Sequence, residues 1–179
     1  MKRSCIPCML RAASVALIAC VASAQTPQFK DNEQPIPVDY KGWPKFLSNV
    51  QRPDVRQVRE IYINPVGAAA KEGQPFPAGT ILVMENYAAK LGADGIAEKD
   101  ADGRLVKGNL LRIFVMGKGE GWGNSAPQGL RNGDWVYAAY GVDGTLSGDP
   151  IAPCRSCHLP LAQKDYVPRY DEYFVTHGH

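Results

Sequence analysis

Two thiols and an imidazole stand together in Cys154-Arg155-Ser156-Cys157-His158, the C-x-x-C-H spacing by which a c-type haem is held. Thiols at this separation can bond the two vinyl-bearing edges of one porphyrin while the adjacent imidazole reaches the iron. One short segment would then supply both the attachment and an axial ligand. Two other chemistries use the same residue types. A zinc site needs about four N, S or O ligands, and the remaining histidines, His177 and His179, stand at the C-terminus, within reach only if the tail folds back. A redox disulfide between Cys154 and Cys157 calls for a strand-helix-strand setting, whereas Cys157 is followed by His-Leu-Pro. The spacing therefore points to one covalent haem c per chain, with His158 as its iron ligand.

The N-terminus bears on where such a group would be attached. Lys2 and Arg3 open a positive region, an apolar run follows Arg11, and Ala22-Ser23-Ala24 offers the small residues a signal peptidase requires. Residues 1–24 read as a signal peptide cleaved after Ala24, which predicts a periplasmic protein. The run is too short, and too interrupted by Arg11, to be a membrane span of about 20 residues. Leu17-Ile18-Ala19-Cys20 also resembles a lipobox, so lipidation at Cys20 is the alternative, and the one route to a membrane.

Either processing removes Cys5 and Cys8 and leaves no disulfide framework. Cleavage after Ala24 leaves 155 residues, the size of a single domain. Of 20 basic side chains three lie in the leader, so the mature chain sets 17 against 18 acidic ones. That balance gives no reason to expect nucleic acid or anionic lipid as a partner.

Other elements must position the motif. Residues 25–50 read as an N-terminal arm followed by a short helix, and 51–179 as the haem domain. Within 39–50, Trp43, Phe46, Leu47 and Val50 fall at helical spacing, with Pro44 suited to the first turn. Residues 55–63, 79–87, 105–116 and 134–140 are rich in β-branched and aromatic residues and read as strands. Residues 66–71 suit one or two helical turns, and Asp102-Gly103 turns the chain between the second and third of these strands. The glycine-rich stretch 117–133 is longer than a hairpin loop needs and so invites a functional reading; neither it nor any other glycine run has a phosphate-loop pattern. Residues 159–174 read as helix interrupted near Pro168, with 176–179 a loose tail.

In order along the chain, Arg59-Glu60-Ile61-Tyr62-Ile63-Asn64-Pro65, Phe76-Pro77-Ala78-Gly79-Thr80-Ile81-Leu82-Val83, Gly133-Asp134-Trp135, the C-x-x-C-H pentad and Asp165-Tyr166-Val167 resemble the cytochrome P460 family, which includes the cytochromes c′-beta. The likeness covers about 55–174. It implies a single α+β domain, mainly antiparallel β-sheet with a few short helices, usually as a homodimer, carrying one pentacoordinate haem c. Cys154 and Cys157 would be the thioether residues and His158 the proximal ligand. The opposite face of the iron would be open to nitric oxide, hydroxylamine or carbon monoxide. The namesake enzymes oxidise hydroxylamine, while the c′-beta members chiefly bind gases. The enzymes carry a lysine, bonded to the porphyrin, on the strand after the Gly-Thr pair; here that position is Met84, which has no amine.

The residues support readings of their own. On a strand Thr80, Leu82 and Met84 share one face, where Met84 can line the haem, fill core or offer its thioether to iron. Met116 has the same choices. Arg59 alternates with Ile61 and Ile63, so its guanidinium needs an acceptor such as a haem propionate or bound anion, or else snorkels to the sheet edge. Asp149 precedes Cys154 by five residues and either relays protons to a bound ligand or simply shapes a turn before Pro150. Some members of the set Phe114, Met116, Trp135 and Tyr137 are expected against the haem. The expected function is an exported mono-haem cytochrome that binds nitric oxide or related nitrogen oxides and exchanges electrons with a periplasmic partner. The alternatives are a hydroxylamine or nitric oxide oxidoreductase, and a His/Met-ligated electron carrier.

Overall fold

The computed structural model describes residues 27–178; the leader, Cys20 and His179 lie outside them. Strands β1 (Lys45–Arg52), β2 (Gln57–Ile63), β3 (Ile81–Ala89), β4 (Lys107–Lys118) and β5 (Trp135–Tyr140) form one antiparallel sheet in sequence order. Three short helices accompany it: α1 (Pro65–Ala68), α2 (Ala152–His158) and α3 (Tyr170–His177). The fold is thus α+β and mainly antiparallel, as expected. Strands β2 to β5 fall on the four apolar patches with ends moved by one or two residues. Asn64 caps α1 by accepting from the Gly67 amide and also receives the Ile81 amide, tying the end of β2 to the start of β3.

The helix expected over 39–50 is not there. Tyr40–Gly42 makes a single 3-10 turn, and the residues after Pro44 form β1. Its pairing with β2 slips between Lys45 and Leu47 and again between Leu47 and Val50, and Asn49 sits at φ 51°. These irregularities turn Phe46, Leu47 and Val50 all inward, and a bulged edge strand thereby imitates helical periodicity.

Register sorts the side chains between two faces. Ile61, Met84 and Phe114 are cross-strand neighbours, as are Leu82, Met116 and Tyr137 in the next row. This first face is covered by α2 and α3. Tyr173 of α3 stacks on Phe46 with ring centroids 4.4 Å apart, while Phe76 meets Trp135, Tyr170 and Phe174 at 5.7 to 6.4 Å. The second face presents Tyr62, Val83, Val115 and Ala138 to Tyr40, with Ile36 and Trp43 packed alongside. Buried there, the Glu85 carboxylate accepts from the hydroxyls of Tyr40 (2.7 Å), Tyr62 (3.1 Å) and Tyr87 (2.7 Å).

The chain after the pentad departs from the helix expected over 159–174. Helix α2 starts earlier and carries the pentad itself, and a kinked 3-10 stretch follows over Leu159–Lys164. Asp165, Tyr166 and Arg169 then adopt left-handed conformations before α3 begins. Thr176 and His177 belong to α3 rather than to a loose tail, His177 Nδ1 lying 2.8 Å from the Tyr173 carbonyl oxygen. The N-terminal arm is also fixed. The Asn32 amide donates to the Tyr137 carbonyl (2.8 Å) and the Asp31 carboxylate accepts the Tyr137 amide (3.1 Å), which occupies the outer edge of β5.

Candidate functional site

Between the first sheet face and α2 lies a cavity of about 550 Å³, within the usual range for a small-molecule or cofactor site. Cys154, Cys157 and His158 form one wall; Ile61, Leu82, Met84, Phe114 and Met116 form the sheet wall opposite. Both cysteines are free thiols. Their i, i+3 spacing sets them on one side of the helix, and burial pushes the Cys154 thiol pKa up.

Arg155 explains how α2 is turned that way. Its side chain points into the protein, 1 % exposed, with Nε and Nη2 each 2.7 Å from an Asp31 carboxylate oxygen. It also donates to the carbonyls of Trp135 (3.1 Å) and Leu130 (3.3 Å). This desolvated guanidinium satisfies its donors in one fixed orientation, leaving the thiols free to line the cavity.

His158 is held in a single role. Its Nδ1 lies 2.7 Å from the Tyr166 carbonyl oxygen, so it carries the proton and donates. The Tyr137 ring meets the imidazole edge-on at 5.0 Å. Burial first, and then nearby Arg155, disfavours a second proton, outweighing the Tyr166 carbonyl that favours it, and the pKa is lowered. Nε2, with no hydrogen bond, remains a lone-pair donor on the cavity wall.

Two polar groups at the cavity also lack full partners. Arg59 uses Nε to donate to Asn86 Oδ1 at 3.0 Å and has no ion pair among the described residues. Burial, then Arg52 and Arg169 at the same cavity, lowers its pKa. The Tyr137 hydroxyl is buried with no hydrogen-bond partner among the described residues, and burial holds it protonated. Such groups are costly unless something supplies acceptors. An apolar slot with two thiols, one neutral imidazole and an unpaired guanidinium at its rim is complementary to a porphyrin with carboxylate side chains.

The family model for cytochrome P460 matches residues 37–168. The chain belongs to the cytochrome P460 family. Membership implies a haem cofactor and makes the protein a cytochrome. Comparison with curated proteins finds no match.

Of the residues singled out in the sequence of this cytochrome P460 protein, the structure gathers Cys154, Cys157, His158, Met84, Arg59, Phe114, Met116 and Tyr137 around the cavity. Trp135 is fully buried but lies in the aromatic core beside Phe76 rather than on the cavity wall. Asp149 is not on that wall either; it pairs with Arg112 at the half-exposed surface. The glycine-rich loop contributes nothing to the lining. Gly119 and Gly123 serve close packing there, since a Cβ on Gly123 would come within 1.8 Å of the Gly133 carbonyl oxygen and one on Gly119 within 2.0 Å of the Trp122 ring. Among the described residues no three His, Cys, Asp or Glu side chains converge as a metal site would require.

Sequence reasoning missed Phe46, Arg52 and Arg169 on the lining, and the Arg155–Asp31 pair behind it. Phe46 was hidden by the imitation of helical spacing. Nothing local marks Arg155 as inward-pointing, because its acid partner lies 124 residues away.

Proposed function

We propose that the cavity holds one haem c, joined through Cys154 and Cys157 and bound at iron by His158 Nε2, and that the protein takes up nitric oxide or a related small nitrogen oxide on the opposite face. The observation that carries this reading is the composition of the cavity: both thiols and a tautomer-fixed imidazole on one wall, the apolar side chains of Ile61, Leu82, Met84, Phe114 and Met116 facing them, and Arg59 and Asn86 beside these. Such a haem supplies a redox-active iron that binds diatomic ligands. Around it this chain excludes water with apolar side chains, offers Arg59 to an anionic edge group, and orients the imidazole through Tyr166.

Among the described residues no lysine lines the cavity, and Lys90 is instead paired at the surface with Glu98 at 2.8 Å. A porphyrin bond to an amine is therefore without a donor here, which weighs against oxidation of hydroxylamine. Electron transfer with methionine ligation is kept as a second reading, because Met84 and Met116 are both on the sheet wall. Export to the periplasm, one haem per chain, pairing as a homodimer and exchange with an electron partner complete the proposal and rest on the leader and the family resemblance.

The deciding experiment is absorption spectroscopy of ferric and ferrous protein, produced with c-type haem maturation, before and after nitric oxide and hydroxylamine. High-spin spectra that change with nitric oxide, with no turnover of hydroxylamine, are expected. A low-spin spectrum indifferent to both would leave the electron carrier.

A further inference from the structure

The carbonyl that receives the His158 proton sits on backbone that is not relaxed. Asp165 and Tyr166 are consecutive non-glycine residues at φ 50° and 60°, a conformation costing roughly 1–2 kcal/mol per residue. Such geometry persists only where surrounding contacts over-determine it. Here the Asp165 and Tyr166 amides donate to the Ala162 and Leu161 carbonyls (3.2 and 2.8 Å) within the turn, and one ion pair ties the turn to the sheet. Lys118 Nζ donates to Asp165 Oδ1 (2.9 Å), Asp165 Oδ2 (2.8 Å) and the Phe76 carbonyl (2.8 Å). The Phe76 amide returns a hydrogen bond to Asp165 Oδ2 at 2.9 Å. The two side chains are 11 % and 12 % exposed, so the ammonium and the carboxylate satisfy each other away from bulk water. Lys118 ends β4, two residues beyond Met116 on the cavity wall.

We infer that Lys118 and Asp165 are positioning residues for the iron ligand: they fix the Tyr166 carbonyl to the sheet and, through it, the direction and basicity of the His158 imidazole. This rests on the axial role proposed for His158. The partner of a ligating histidine's second nitrogen sets ring orientation and donor strength. In this chain that partner is a carbonyl whose position depends on a pair 47 residues apart in sequence.

The test uses the haem-loaded protein and the iron–histidine stretching band of the ferrous form in resonance Raman, with the share of nitric oxide adduct that has lost histidine, measured by electron paramagnetic resonance. Asp165→Asn and Lys118→Met should each move the band to lower frequency, broaden it, and raise the histidine-free share. Lys118→Arg should restore the band most of the way. Lys164→Met, which removes the exposed pair with Asp171 and the ammonium 5.7 Å from the Tyr170 ring but leaves the Lys118–Asp165 pair in place, should leave it unchanged. Circular dichroism and covalent haem content identify folded variants; if Lys118→Met does not fold, Asp165→Asn carries the same readout. A band indifferent to substitution in a folded variant overturns this inference alone. Absence of any such band from the unsubstituted protein overturns the open, His158-ligated iron proposed above, and this inference with it.

Discussion

At the scale of single residues, the cavity divides into groups that hold and groups that exclude. On the reading proposed above Cys154 and Cys157 hold the haem: the Cys154→Ala, Cys157→Ala double variant is expected to lose all haem that survives denaturation, read as haem staining after denaturing electrophoresis. Retention of that haem would mean attachment elsewhere. Phe114 excludes. It faces the thiols across the cavity beside its cross-strand neighbour Met84, and its removal opens the space where a gas would arrive. Phe114→Ala should speed carbon monoxide association about tenfold, equivalent to about 1.4 kcal/mol of barrier, in flash photolysis of the ferrous protein. An unchanged rate would place the ligand's path away from this ring.

At the scale of elements, α3 backs the cavity from behind Phe46 by pressing aromatic rings onto the sheet. Phe76, 1 % exposed, sits at the centre of that contact, and Phe76→Ala should cost about 3–5 kcal/mol, seen as a lower urea midpoint. A loss under 1 kcal/mol would show that the rings close over the gap.

These elements also measure what the sequence could convey. The four patches that became β2 to β5 were legible because burial on a sheet leaves an alternating or continuous apolar record in the residues themselves. The Cys-x-x-Cys-His pentad and Met84 were legible because their chemistry is local. The first strand was not, since two slips of register erase the alternation. Asp165 appeared within a motif, but its partner Lys118 could not be read there, because an inward lysine and a solvated one look the same until the fold supplies Phe76 and Asp165.

At the scale of the whole molecule, the second sheet face sets the response to acid. Burial alone would raise the Glu85 pKa, but hydrogen bonds from Tyr40, Tyr87 and Tyr62 and the charge of Lys41 outweigh it and hold it below the ordinary 4.5. Glu60 is lowered likewise, with Lys45 and Lys107 overcoming its burial. A depressed folded-state pKa means that the unfolded chain takes up protons first as pH falls. The stability contributed by both carboxylates is therefore full above 4.5 and is lost as pH drops through their folded values. Urea midpoints measured from pH 7 to pH 3 should fall steeply below 4.5, and Glu85→Gln should start lower and fall less. Parallel curves for the two proteins would contradict the assignment.

The contact between Asp31 and Arg155 spans 124 residues, nearly the whole described chain. Closing a loop of that length costs on the order of 4 kcal/mol in chain entropy, and ribosomes release its two ends far apart in time. The amino-terminal arm is thus a clasp over α2, joined to it only across the full length of the sheet. An affinity tag or protease site introduced near Pro27 would act at a distance, loosening the clasp and with it the grip on the two thiols, whereas the same addition after His177 would not.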